Sequence, residues 1–159
     1  MTPEVAVMAL DVSLDYFERG TRCFTEEDAD FTPQDERFTV KHHVAHVAQT
    51  IDWFVEGVFG GNGFDLDFEE HEKKVRSTGS LADARQWLRD SVANAKKVYG
   101  ESTAEALAEP IPNDNIMGGA PRGATISAIT DHNAHHRGAL AVYARLAGRV
   151  PAMPYMDME

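Results

Sequence analysis

Apolar residues recur at helical spacing in four stretches of the chain, and no stretch shows the strict alternation of a half-buried strand. The first stretch spans residues 3 to 22, with Thr2 placed as an N-cap and Pro3 at the first helical position. Val5, Met8, Val12 and Tyr16 follow the i, i+3/i+4 rhythm there, widened by Ala9 and Leu10, and are expected to face the core. The second stretch opens after Thr39 and closes at Gly60 and Gly61; Val40, Val44, Val47, Ile51 and Val58 form its stripe, with Phe54 at the edge. The third begins at Ser80, has Asp83 in the capping-box position and stops at Gly100, with Leu81, Ala84, Trp87, Leu88, Val92, Ala95 and Val98 inward. The fourth covers residues 124 to 147, where Ile129, His132, His136, Ala139, Tyr143 and Leu146 fall along one line.

The segments between these helices are polar. Residues 25 to 38 read as an acidic surface loop, and residues 61 to 79 as a second polar loop in which His71 is expected to be exposed. Residues 101 to 123 contain a short helical turn, AEALAE, followed by a turn-rich connector, and the prolines of the last eleven residues exclude a further helix. Four amphipathic helices without an internal repeat imply an all-α four-helix bundle occupying residues 1–159 as a single domain. The long connectors would allow a topology other than up-down-up-down, since a loop of roughly 15 to 20 residues can run the length of a helix.

Composition narrows the partners. A formal charge of −11 argues against nucleic acid, whose binding depends on a basic face that displaces counterions. The single cysteine, Cys23, excludes an intrachain disulfide and any four-cysteine or CxxC zinc site, and fits a reducing compartment. The first residues carry an acid where a signal peptide would carry bases, and no window approaches 18 consecutive apolar residues. A soluble, cytoplasmic protein without a membrane partner is the expectation.

The chemistry is concentrated in histidine. Of seven histidines, three sit at 42, 43 and 46 and three at 132, 135 and 136, leaving only His71 apart. His132 and His136 stand i, i+4, so both rings can reach one point beside the helix, while His135 points away from them. A histidine on an apolar face is usually a satisfied core residue, but two at ligand spacing each need a partner for a ring nitrogen, and one metal would satisfy both. On the second helix, His43 lies nearer the centre of the apolar stripe, and His46 lies on its flank with His42, Thr50 and Trp53. A bundle helix packs against two neighbours, so rotation leaves open which of the two turns inward. One of them with His132 and His136 would make a three-histidine site, a ligand number that usually leaves a coordination position for water or substrate. Imidazole suits Zn, Ni, Fe, Co and Cu alike.

Other sites fare worse. Inward Glu-x-x-His pairs, HExxH and CxxCH are all absent, which removes a ferritin-like di-iron centre, a zincin and a covalently attached haem. No serine sits in a strand-turn-helix elbow, and Cys23 has no evident base. A bis-histidine haem bundle would need facing histidines and no open site.

From Phe38 to Thr50 the chain reads FTVKHHVAHVAQT, and from Asp131 to Gly138 it reads DHNAHHRG. These segments resemble the two signatures of the DinB-like superfamily, metal-binding four-helix bundles described as DNA-damage-inducible proteins or metal-dependent hydrolases. The resemblance spans the chain in helix order and length, and the H-x-x-x-H-R-G element is its more specific part. In that family the helix-two ligand comes about two turns after a Ser/Thr cap and precedes an aliphatic residue, a position held here by His46, before Val47. The resemblance therefore implies His46, His132 and His136 as metal ligands, with His43 as the alternative to His46. Ala139 stands where members often have Gln, and Gln49 and Thr50 stand where an acid is frequent.

What the resemblance implies about function is a metal-dependent enzyme, either a thiol S-transferase or a hydrolase, that binds a divalent transition metal such as Zn, Ni or Fe. Relatives include transferases and isomerases using low-molecular-weight thiols, so a small-molecule thiol is the expected partner. His43, Trp53, His135 and Arg137 are the candidates for shaping the pocket or moving a proton. The competing readings are a non-catalytic metal-binding or stress-related module and a purely structural bundle. A homodimer is common in the family, but no patch in this sequence demands one.

Overall fold

The computed structural model describes residues 1–35, 37–112 and 116–156. The portions of the acidic loop, the turn-rich connector and the tail that fall on residue 36, residues 113–115 and residues 157–159 lie outside the described residues. Regular structure among the described residues is helical, apart from one isolated antiparallel bridge between Pro110 and Pro121. The elements are α1 (Pro3–Thr21), α2 (Val40–Phe59), α3 (Phe68–Arg76), α4 (Leu81–Gly100), α5 (Ala104–Ala108) and α6 (Thr125–Leu146). No described helix is long and apolar enough to cross a membrane.

The four long helices close a ring in which α2 and α1 each pack on both α4 and α6. Cross-helix contacts fix their directions. Lys96 pairs with Asp11 at 2.6 Å and Arg89 with Glu18 at 2.8 Å, so α1 and α4 are antiparallel. Ser13 meets Asn133 and Gly20 lies against Arg137, so α1 and α6 are parallel. Asp52 accepts from Trp87 Nε1 at 2.7 Å, and Phe59 meets Tyr99 edge-on, so α2 and α4 are parallel. The order is thus up-down-down-up, and only the connector from α2 to α4 has to travel the length of the bundle. The connector from α4 to α6 stays at one end, closed by a hydrogen bond between the Tyr99 and Thr125 hydroxyls.

The stripe read along α2 is buried throughout: Val40, Val44, Val47, Ile51, Phe54 and Val58 all lie in the core. Full burial of each such side chain contributes about 1.5–3 kcal/mol, so this helix anchors the fold. Two other stripes are rotated from their expected place. On α1, Val5, Met8 and Val12 are 45%, 59% and 41% exposed, whereas Ala6, Leu10, Ser13 and Phe17 are buried. The smaller members of that inner set allow close approach to α6. On α6 the buried line runs through Ile126, Ile129, Asn133, His136, Leu140 and Ala144, which leaves Leu146 60% exposed.

The crossover connector is not a plain loop. It contains α3, whose N-terminus is capped by Asp67 accepting from Glu70 N at 3.1 Å. Glu69 and Glu70 occupy the first turn and Lys73, Lys74 and Arg76 the last, a charge order that complements the helix dipole. Val75 is fully buried and ties α3 to the core, and α3 packs against α2. His71 is consequently half-buried rather than exposed. The tail after α6 folds back on α1: Arg19 donates to the Pro154 carbonyl at 2.8 Å, and Tyr155 packs edge-on against Tyr16.

Candidate metal centre

The antiparallel contact of α2 with α6 is lined by imidazoles. His46 and His132 face each other through Nε2 at 3.3 Å, and His43 and His136 through Nδ1 at 2.9 Å. Nitrogens of His46, His132 and His136 all lie within 4.8 Å of one another. His43 stands behind this group, bonded to His136 on the side of the ring that carries Nδ1, with its own ring against Tyr143 and Phe38. His42 turns to the helix start, where its Nδ1 accepts from Thr39 N at 3.4 Å.

Burial sets the charge state of the cluster. His136 is pushed down to about 2, first by burial and then by the neighbouring His132, His46 and His43. Burial also pushes His132 down to about 4, with His46 and His135 reinforcing it, and His43 down to about 4 in the same manner. His46 is lowered by burial, an effect that Glu72 partly offsets and His135 reinforces. Neutral imidazole is the form that binds a cation. The donor set fits a transition metal on one further ground. Bonds of about 2.0–2.1 Å in a tetrahedron put adjacent nitrogens about 3.3 Å apart, the spacing seen between His46 and His132. His132 Nδ1, the ring nitrogen that does not face His46, is buried without a hydrogen-bond partner, and a metal bound through Nε2 would leave it so.

A cavity of about 410 Å³ opens beside His46 and His132. Its walls are Trp53 and Phe54 from α2, Phe68 and His71 from α3, and Ala128 and Asp131 from α6, with Gln49 and Thr50 completing the floor. Trp53 is held by its Nε1, which donates to the Asp65 carbonyl at 2.6 Å, and by Phe64, whose ring lies 4.6 Å away between centroids. Phe64 reaches that position only because residue 57 is glycine; a Cβ there would overlap its ring.

Of the pocket candidates named from sequence, Trp53 lines the cavity and His43 supports His136 from behind. His135 is exposed, although its ring still contacts His136. Arg137 sits between Tyr16 and Tyr155 at the tail and is not among the residues lining the cavity. The residues missed by sequence reasoning are mostly those of α3. Phe68, His71 and Val75 share one face of a short helix, and the acidic first turn and basic last turn around them were the available signal.

The profile of the DinB superfamily matches residues 9–140. No curated protein sequence matches the chain with significance. Among solved structures, a DinB-like protein from Bacillus cereus is similar with a TM-score of 0.74 and 19% identity, over 95% of this chain and 97% of that one. A DinB-like protein from Bacillus subtilis is similar with a TM-score of 0.69 and 14% identity, over 97% and 99% of the two chains. A mycothiol-dependent maleylpyruvate isomerase is similar with a TM-score of 0.70 and 16% identity; 88% of this chain is covered, but only 61% of that chain. At these identities the likeness establishes the shared fold.

Proposed function

This chain belongs to the DinB superfamily, and on that premise we propose that His46, His132 and His136 hold a divalent transition metal, Zn, Ni or Fe, in a thiol S-transferase or a hydrolase. The observation that carries the reading is the convergence of three imidazoles from α2 and α6, two of which, His46 and His132, line a cavity large enough for a small molecule. When bound, such a cation lowers the pKa of a coordinated thiol or water and so supplies a nucleophile at neutral pH.

The chain's own residues do the rest. His43 accepts or donates at His136 Nδ1 and fixes the orientation of that ring, as partners of metal-binding histidines commonly do. Trp53, Phe54 and Phe68 give the cavity an aromatic wall. His71, whose Nε2 lies 3.3 Å from the Asp65 carbonyl, is placed to exchange a proton with a bound molecule. The fold neighbour described as mycothiol-dependent supports a thiol as the partner of this site.

Elemental analysis of the protein purified without a histidine tag tests the metal, with about one equivalent expected. Metal-dependent conjugation of a low-molecular-weight thiol to monochlorobimane tests the chemistry. Stoichiometric metal without thiol or ester turnover would reduce the protein to a metal-binding module, and absence of any metal would leave only a histidine-rich bundle.

A further inference from the structure

The charge around the cavity is one-sided. The cavity beside His46 and His132 has one formally charged residue in its lining other than histidine, Asp131. It adjoins a second cavity of about 390 Å³, with Gln49, Trp53 and His71 as common walls. That second space is lined by Asp52, Glu56 and Asp65 against a single base, Lys74, which lies over the Trp87 ring at 4.8 Å from its centroid. A carboxylate entering the first space would meet Asp131, and one reaching into the second would meet three acids and one lysine, in a protein whose formal charge is already −11.

The apolar side is equally specific. Trp53 is clamped through its Nε1 and flanked by Phe54, Phe64 and Phe68 at ring-centroid distances of 5.0, 4.6 and 6.2 Å. A fixed indole wall favours a flat partner, and favours it further when that partner carries positive charge. The geometry points to an arylalkyl ligand, neutral or cationic, as the substrate class of this site, with its ring against Trp53 and Phe68 and its polar end toward Asp131. The inference rests on the metal-centre reading only for the atom that would carry the reaction; in the metal-free protein the cavity's choice of charge is a property of these walls, whereas a cation on His46 and His132 would add its own charge.

Three isosteric probes test it: 2-phenylethylamine, 2-phenylethanol and phenylacetate, titrated by ligand-observed NMR into the full chain as purified and after chelation of any metal. In the chelated protein the amine and the alcohol should bind at least tenfold tighter than the carboxylate. Trp53→Ala should weaken all three, and Asp131→Asn should narrow the gap between amine and carboxylate. Phenylacetate binding as tightly as the amine, or no binding by any probe, overturns the inference. Separately, protein loaded with Co²⁺ is titrated with benzyl mercaptan and its para-aminomethyl and para-carboxylate derivatives, read by the thiolate-to-cobalt absorption band. The same charge order supports the inference, and a preference for the carboxylate overturns it while leaving the metal reading intact. If no cobalt binds, the metal reading falls, and the charge order measured on the chelated protein still decides the inference.

Discussion

Helix α6 buries polar groups toward two neighbours, and the two contacts are built differently. Toward α1 it presents Asn133, 2% exposed, whose Nδ2 donates to Ser13 Oγ at 2.9 Å. Toward α2 it presents His132 and His136, which meet His46 and His43. The amide contact is a single uncharged hydrogen bond set in aliphatic surroundings. The imidazole contact gathers four rings, each with one N–H and one lone pair when neutral, and ring-to-ring bonds engage only part of that capacity. Each side leaves one buried atom without a partner, His132 Nδ1 toward α2 and Asn133 Oδ1 toward α1. A bundle needing only one polar pair to set its register has that pair on the α1 side. What sets the α2 side apart is that nitrogens of His46, His132 and His136 lie within 4.8 Å of one another, an arrangement that could hold a cation, and the difference can be broken or sharpened by experiment.

The largest effect is expected from His132→Ala, which should remove most bound metal from the purified protein while circular dichroism stays helical. Full metal occupancy in that variant would show that the α2 side is no more than a polar pair of another kind. On the α1 side, Asn133→Ala together with Ser13→Ala should leave metal content near that of the parent protein.

Acid should separate the two sides next. The folded pKa values of His43 and His132 lie below the ordinary 6.5, at about 4, because burial disfavours the charged ring. The unfolded chain therefore binds more protons than the folded one below pH 6.5. Stability is fully present above that pH and is lost as the pH falls toward 4, on the order of 2 kcal/mol for each such ring by pH 5. Urea denaturation of metal-free protein between pH 7.5 and 5 reads this fall, and His43→Gln should make it shallower. The Ser13 and Asn133 contact does not titrate, so the double alanine variant should keep the parent's dependence on pH.

A smaller effect is expected from Ser13→Ala alone, which leaves Asn133 Nδ2 buried without its acceptor and should cost about 1–3 kcal/mol in the same denaturation experiment. If the cost is nil, the amide is satisfied in some other way and the contrast weakens. Smallest of all should be the change in metal content on His71→Ala. That ring lines the cavity but stands outside the three-nitrogen cluster, so ligand binding should change while metal does not. A large loss of metal would make His71 part of the α2-side constellation.

These elements were unequally legible in the sequence. The buried face of α2 could be read because its aliphatics are large, numerous and confined to one stripe. Helix α1 carries two stripes of helical period, and the heavier one, Val5, Met8 and Val12, is the outer one. Close packing of α1 on α6 selects small residues such as Ser13 and Gly20, which hydrophobicity alone undervalues. Asn133 was invisible for the same reason: its burial follows from its partner on another helix. The histidine spacing on α6 was plain, whereas the choice between His43 and His46 depends on how α2 is rotated between its two neighbours, which one helix's periodicity cannot express. Helix α3 has nine residues and few apolar ones, so its charge gradient was the signal to weigh.

The crossover topology has a consequence for divergence. The imidazoles ride on two of the four long helices of the bundle, while Phe68 and His71 ride on a strap between α2 and α4 that is pinned to the core at Phe64 and Val75. Replacements in that strap would reshape the mouth of the cavity without moving the imidazoles, so descendants of this gene could change what enters while inheriting the histidine cluster unchanged.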